Sequence, residues 1–550
     1  MPQEVCRRLL LFLDGTWNED DDDKPASNIV YLRERLFWGL QTRLRDPLSH
    51  DAADFNALPD VIRNRVMSGV ILDGFEYIIF YDRGVGTGPF LDVIKGGVAG
   101  DGLNRNIREA YRFLSTWYRP GDEIYVFGFS RGAFTARSLC GYLNAVGLLR
   151  AGACTPSREK AVWSYYRTAP ADRLSGDWHA LRADANGAPA MHDGLRVRAL
   201  CVFDTVGALG IPANGLRRFN RQKYQFHDTE MNSLVDIQLH AVAIDEPRPE
   251  FEPAMWTKPK FKLIDRDHAP IEQVWFPGAH SDIGGGYTKW NQGEKGLSHL
   301  PLAWMLQRLQ HYVTTNPPIG ADGTNFVSSP NYQAPLPFFT TDLLDDDRNM
   351  LEAIRALAKS DQHKPWAALS AVRPDLKRVI NQIQLPGKES AEEGGRVPFA
   401  DPIGEMVHVA ALERFDLADG VVVDKDKVMN FVDRINVFRS KKYRPNNLLA
   451  ILPYIAATYL RYHRIDPAWC AVVRPVYSWK EITVVGWDGM PIDPSDKSNA
   501  ERVLALLPKP AAIDLNTMPD SMHAMLDPRV KYWPGANTGQ ATGPPADGGG

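Results

Sequence analysis

Gly128-Phe129-Ser130-Arg131-Gly132 places a hydroxyl nucleophile between two glycines, each two positions away. A serine hydroxyl attacks a carbonyl carbon only when a base takes its proton, so the chemistry to look for is acyl transfer through a covalent intermediate. The spacing alone is weak, because 44 glycines generate such patterns easily. The setting is stronger. Ile124-Tyr125-Val126-Phe127 reads as a buried strand before it, and Ala133, Ala136, Cys140 and Leu143 continue as a helix after it. A tight strand-to-helix turn lifts a serine clear of a sheet. Glycines are needed there because Cβ atoms would meet neighbouring backbone. Ser130 is the expected nucleophile, against the alternative of a plain βα turn.

The partners are expected downstream, in the order serine, acid, histidine. Asp204 ends the apolar run Val197–Phe203 and is followed by Thr205-Val206-Gly207. An acid at the carboxyl edge of a parallel sheet stands where ligands bind; a turn or helix-cap aspartate is the alternative. Asp245, after Ala241-Val242-Ala243-Ile244, is the rival acid, although Glu246 and Arg248 beside it read equally well as a surface ion pair. Of 13 histidines, His280 has the best context, between the strand end Trp275-Phe276-Pro277-Gly278 and the loop Ser281-Asp282-Ile283-Gly284-Gly285-Gly286. His240, inside the run Leu239–Ala243, reads as a packed core residue. His408, in Met406-Val407-His408-Val409, is the rival base. Asp282 reads as an orienting residue of the His280 loop, with cation binding as the alternative.

A tetrahedral intermediate also needs two backbone N–H groups aimed at its oxygen. Arg131, directly after the serine, should supply one. Gly15 and Thr16, in Leu13-Asp14-Gly15-Thr16-Trp17-Asn18, are the candidates for the other, with Asp14 supporting that turn.

The elements that must position these residues are short β-rich runs, each leading into a charged residue and a turn: Leu9–Leu13, Tyr77–Tyr81, Ile124–Phe127, Val197–Phe203 and Val274–Phe276. Continuous apolarity means strands buried on both faces, as in a parallel sheet. Ile107, Ala110, Tyr111, Leu114, Trp117 and Tyr118 share one helical face. Strand and helix alternate, so the expected fold class is α/β, an α/β-hydrolase core with a mainly parallel sheet. Gly96–Gly102 reads as a tight approach to a helix beginning near Asn104, without dinucleotide-loop spacing. Glu19–Asp23 reads as a solvated acidic loop rather than a metal site.

Three regions are expected: a catalytic core over 1–310, a mostly helical cap or accessory region over 311–537, and a disordered Gly/Pro/Ala-rich tail over 538–550. Within the second, Leu448–Leu460 is the most apolar helical stretch, with Lys441, Lys442 and Arg444 before it and Arg461 and Arg464 after it. It has two open readings: a core helix, or an amphipathic helix that enters a lipid interface at the rim of the Ser130 cleft.

The net charge of -4 gives no electrostatic case for nucleic acid. None of the five cysteines forms a CxxC pair and their number is odd, so neither a disulfide framework nor a zinc site is expected, and synthesis in a reducing cytosol is; no cofactor is expected, and metal modulation stays open. No secretory signal is recognised at the N-terminus, and no apolar run reaches the roughly 18 residues of a membrane span.

Five motifs occur in fixed order: Leu11-Phe12-Leu13-Asp14-Gly15-Thr16-Trp17-Asn18, Tyr81-Asp82-Arg83-Gly84-Val85-Gly86-Thr87-Gly88, Gly128-Phe129-Ser130-Arg131-Gly132-Ala133, Phe203-Asp204-Thr205-Val206-Gly207 and Gly278-Ala279-His280-Ser281-Asp282-Ile283-Gly284-Gly285-Gly286-Tyr287. Together they resemble the α/β-hydrolase family that includes the first family of bacterial type VI secretion lipase effectors, over about residues 7 to 310. The resemblance implies Ser130, Asp204 and His280 as catalytic residues and hydrolysis of a phospholipid acyl ester. It also implies delivery by a secretion spike protein into the periplasm of a rival bacterium, and a cognate immunity protein. One departure from the family pattern is an extra segment, roughly Arg173 to Gly194, that could cover the site. A soluble carboxylesterase or other acyl hydrolase, and a non-catalytic binding protein on the same scaffold, are the other functions open to such a chain.

Overall fold

The protein is described by a computed structural model, which covers residues 6–15, 25–33, 36, 66–72, 75–84, 98–168, 172–183, 187–206, 234–248, 251–256, 270–287, 296–315, 350–360, 362–364, 403–415, 421–423, 445–463, 465, 467–473 and 481–509. Thr16, the 19–23 acidic run, most of the cap region up to 402 and the 538–550 tail lie outside the described residues.

The apolar runs form strands. β1 (Cys6–Leu13), β2 (Val66–Leu72) and β3 (Phe75–Asp82) are followed by α1 (Val98–Trp117) and β4 (Glu123–Phe129). Next come α2 (Arg131–Val146), α3 (Pro156–Arg167), α4 (Ser175–Arg182), β5 (Val197–Phe203), β6 (Val235–Ala243) and β7 (Ile271–Phe276). A five-residue α5 (His280–Gly284) leads to α6 (His299–Thr315). The later segments are β8 (Glu405–His408), α7 (Asn446–Leu460), β9 (Thr483–Val485) and α8 (Lys497–Leu506). The sheet runs β9-β8-β7-β6-β5-β4-β1-β3-β2, all parallel except β2, which is antiparallel to β3. This is an α/β fold.

Burial on both faces explains why these strands lack alternation. Leu9, Leu11, Leu13, Ile124 and Val126 pack into one core with α1 and α2. Leu10, Phe12, Tyr125 and Phe127, from the same strands, pack into a second core with α6 and α7. Successive side chains point to opposite faces, and each face is covered by helices. α1 begins at Val98, ahead of the expected start near Asn104, so Gly100 and Gly102 lie within the helix.

Two expectations change. The segment after residue 310 does not form a separate cap in its described parts. β8 pairs with β7, β9 pairs with β8, and α7 fills the same core as Phe276 and Trp304. That decides between the two readings of Leu448–Leu460: Leu448, Ile451, Leu452 and Ile455 are buried, and a helix apolar on every side is a core helix. It cannot enter a bilayer without opening the fold.

The second concerns Arg173 to Gly194. His192 N–H donates to the Leu148 carbonyl at 2.8 Å, Met191 bridges to Leu149, and Trp178 stacks on Tyr165 of α3. Leu148 and Leu149 lie just beyond the carboxyl end of α2, whose amino end begins at Ser130. Sixteen helical residues put about 24 Å between those ends. The described part of this segment therefore packs at the opposite edge of the sheet and does not cover Ser130.

Candidate active site

Ser130 stands at the turn from β4 into α2 with φ 58° and ψ -121°. A left-handed φ at a residue with a Cβ is strained, and such strain persists only where the surroundings impose it. The surroundings are visible. The Ser130 N–H donates to the Phe203 carbonyl at 3.1 Å, and its own carbonyl accepts the Phe134 N–H at 3.2 Å. A Cβ on Gly128 would stand 2.6 Å from Ala133 Cα. Among the described residues, only one other non-glycine has a positive φ: Asp204, at 37°.

Asp204 follows β5 directly. Its N–H donates to the Ala241 carbonyl at 2.7 Å, and its Oδ1 accepts the Ala243 N–H at 2.9 Å. That leaves Oδ2 directed at His280, whose Nδ1–H donates to it at 2.6 Å. On the other side of the ring, Nε2 accepts the Ser130 hydroxyl at 2.8 Å. All three side chains are buried. Burial pushes the His280 imidazole below its ordinary pKa, outweighing the upward pull of Asp204 and Glu246, while Arg248 adds to the fall. The ring is thus neutral near pH 7 and able to accept a proton. Phe129 and Phe251 flank it, each with its centroid 4.7 Å away.

The rival residues lie elsewhere. His408 ends β8, stacks on Phe276, and its Nδ1 accepts the Ala410 N–H at 3.2 Å. Its burial holds its pKa down to about 3. Asp245 Oδ2 accepts the Gly278 N–H at 2.6 Å, so it ties the loop before His280 instead of meeting the imidazole. Asp282 likewise accepts the Ala279 N–H at 3.0 Å. His240 is a buried structural residue: Nε2 accepts the Thr205 N–H at 3.1 Å, and Nδ1–H donates to Gln273 Oε1 at 3.1 Å.

Asp14 is fully buried at the end of β1. Oδ1 accepts the Gly15 N–H at 2.7 Å, and Oδ2 accepts the hydroxyls of Ser27 and Tyr81 at 2.8 and 3.1 Å. A Cβ on Gly15 would lie 3.3 Å from Ser130 Cβ, so this turn borders Ser130. With its N–H taken by Asp14, however, Gly15 shapes the turn and has no donor left for an oxyanion. The Arg131 N–H lies in the first turn of α2, where backbone donors lack intrahelical partners. Burial alone holds the Arg131 guanidinium down to about 10. Among the described residues, no group of three or more His, Cys, Asp or Glu side chains is arranged to hold a metal ion.

Sequence reasoning did not single out Gln273, Phe251 or, as a buried group, Glu246. Gln273 gave one signal, a polar residue inside a run buried on both faces. It joins His240 to the Trp256 and Ile403 carbonyls, to which its Nε2 donates at 2.9 and 2.7 Å.

A mostly parallel sheet, with Ser130, Asp204 and His280 each placed just past the carboxyl end of a different strand, defines an α/β protein with a hydrogen-bonded Ser–His–Asp relay. Residues 7–308 match the family model for the catalytic domain of Tle1-like phospholipase effectors of type VI secretion, and the chain belongs to that family. It is also similar to YEL023C of Saccharomyces cerevisiae, 28% identical over 202 residues, which cover 34% of this chain and 28% of that one. Two solved structures share weaker likeness. One is a protein from Pseudomonas aeruginosa (18% identity, TM-score 0.31, 64% of this chain and 53% of that one). The other is a Tle1 effector bound to the VgrG spike of the type VI secretion system (20% identity, TM-score 0.24, 52% of each chain). The chain thus spans about half of those two structures and under a third of the yeast relative.

Proposed function

We propose that the protein is a serine hydrolase that cleaves fatty acyl esters of phospholipids. The observation that carries this reading is the His280 imidazole, bonded on one side to the Ser130 hydroxyl and on the other to Asp204. Ser130 Oγ attacks the acyl carbonyl carbon while its proton passes to His280 Nε2. Asp204 stabilises the resulting imidazolium. The Arg131 N–H faces the tetrahedral oxygen; Thr16, the second donor expected from the sequence, lies outside the described residues. His280 then protonates the departing glycerol oxygen, leaving the acyl group on Ser130. Water, deprotonated by the same imidazole, releases the fatty acid.

Two features favour a phospholipid over a neutral ester. The family is one of phospholipase effectors. The Arg131 side chain, half-buried beside the nucleophile, has no ion pair or hydrogen bond among the described residues and suits a phosphate. Membership of the family also supports delivery into a rival cell by the type VI machinery, through a spike protein, with antibacterial effect and an immunity protein that blocks the site. No helix among the described residues is long and apolar enough to cross a membrane.

The test is product analysis on mixed bacterial phospholipids, comparing the wild type with Ser130→Ala. Release of free fatty acid and lysophospholipid is expected from the wild type. Loss of a triad member lowers kcat by about 10⁴- to 10⁶-fold. Turnover of nitrophenyl esters without phospholipid cleavage would reassign the protein as a carboxylesterase. Near-normal turnover by folded Ser130→Ala would remove the mechanism.

A further inference from the structure

The three backbone N–H groups that lead into His280 are each held by a different carboxylate, and none of these is Asp204. Gly278 is held by Asp245, Ala279 by Asp282, and His280 itself by Glu246, whose Oε2 accepts its N–H at 3.1 Å. Glu246 is 1% exposed. Arg248 closes on it from the same segment: its backbone N–H and Nε–H donate to Oε1 at 2.9 and 2.6 Å, and its Nη2 donates to Oε2 at 2.9 Å. The Arg248 guanidinium also lies 3.8 Å above the Phe251 ring, and Phe251 meets the His280 ring edge-on. The ion pair therefore reaches His280 twice, through its backbone and through the ring that packs against its imidazole.

We propose that the Glu246–Arg248 ion pair is a positioning element of the active site, fixing the His280 imidazole in register between Ser130 and Asp204. The proposal rests on the hydrolase reading above. A neutral side chain could make the same hydrogen bond to the His280 N–H, yet the fold keeps a buried carboxylate there, paired with a partly exposed guanidinium. Removing Arg248 is costly, because Glu246 is left charged and buried. The pair also surrounds the ring with opposed charges. Asp204 and Glu246 favour the imidazolium, and Arg248 disfavours it. Among the described residues, Asp245, Asp282 and Tyr287 also stand around this loop, and Tyr287 is itself held above its ordinary pKa by burial.

These opposed charges give a test with two signs. The probe is a fluorophosphonate, with which the Ser130 Oγ–P bond forms, fluoride leaves, and the hydroxyl proton passes to His280. Its labelling rate against pH reports the free protein and needs no knowledge of the natural substrate. Glu246→Ala should lower the plateau rate by about 10- to 100-fold, the size of a small misplacement of a reacting group, and Glu246→Gln should recover part of that loss. Glu246→Gln should also move the acid limb to lower pH, because an anion that favoured the imidazolium is gone. Arg248→Gln should move it to higher pH. Circular dichroism and thermal melting check that each variant is folded. An acid limb that stays in place in both folded variants overturns the proposal, whatever the plateau does. Absence of labelling in the wild type, matched by Ser130→Ala, instead sinks the hydrolase reading beneath it. Should Glu246→Gln fail to fold, Arg248→Gln alone carries the test.

Discussion

Gly132 is pressed so closely on Leu13 that a Cβ added to it would stand 2.1 Å from the Leu13 carbonyl oxygen. The nucleophile turn is thus seated against the end of β1, the strand that also carries the Asp14 turn. Gly132→Ala must push β1 and α2 apart. Overpacking of this kind costs about 1–3 kcal/mol. The expected result is a lower urea midpoint together with loss of fluorophosphonate labelling. An unchanged midpoint would count against so close an approach.

The His280 imidazole is held below the ordinary histidine value, mainly by burial. The acid limb of kcat/KM is therefore expected below about 6.5, the unperturbed histidine pKa. A histidine with a lowered folded pKa stabilises the fold above its unfolded value, and that contribution is lost as pH falls through the folded one. His408, held down to about 3, obeys the same sign across a wider window. His408→Gln should leave the acid limb of activity in place and shift the midpoint of acid unfolding to lower pH. A moved limb would return His408 to consideration as the base.

Arg131 offers a cation beside Ser130, the proposed nucleophile. Arg131→Met should lower kcat/KM for an anionic phospholipid by about 10- to 100-fold, the worth of a charged hydrogen bond of about 1.5–3 kcal/mol. Its effect on a neutral nitrophenyl ester should be much smaller, because the backbone N–H remains. Equal losses on the two substrates would show that the side chain shapes the turn and does not read the phosphate.

A fragment ending near residue 310 keeps all five motifs and all three relay residues. It is nevertheless expected to be insoluble or unfolded. It lacks β8 and β9, so β7 becomes an open edge, and it lacks α7, which fills one of the two cores. A soluble fragment with a cooperative melting transition would contradict that dependence.

Much of the centre was readable from sequence, because both-face burial writes itself as nearly continuous apolar runs at Leu9–Leu13 and at Val197–Phe203, where Arg198 is the one interruption. The edges were less readable. β8 and β9 have four and three residues, too few for any periodicity, and β2 contains Ser68 and Gly69 within its seven. The relay residues could be ranked because each follows a run at its carboxyl end. The supporting groups could not. Glu246 and Arg248 were legible as a pair, but an Asp-Glu-Pro-Arg string looks solvated, and only the fold shows the carboxylate buried behind His280. The apolar stretch Leu448–Leu460 had the composition of either an interface or a core, and its neighbours in space decided between them.

The late arrival of β8 and β9 has a consequence during synthesis. Phe276 ends the last strand of the motif-bearing region, and Thr483 begins the strand that closes this edge of the sheet. At about 5–20 residues per second, the roughly 200 residues between them take on the order of 10–40 s to emerge. For the first part of that interval, until Glu405 begins β8 roughly 130 residues on, Ser130, Asp204 and His280 all exist in the nascent chain while β7 has no neighbour on its outer side, and until Thr483 emerges β8 is in turn the open edge. The chain would pass through a state with every reactive group made and an unprotected strand beside them, the stage at which a chaperone, or a binding partner of the finished protein, would have most to shield.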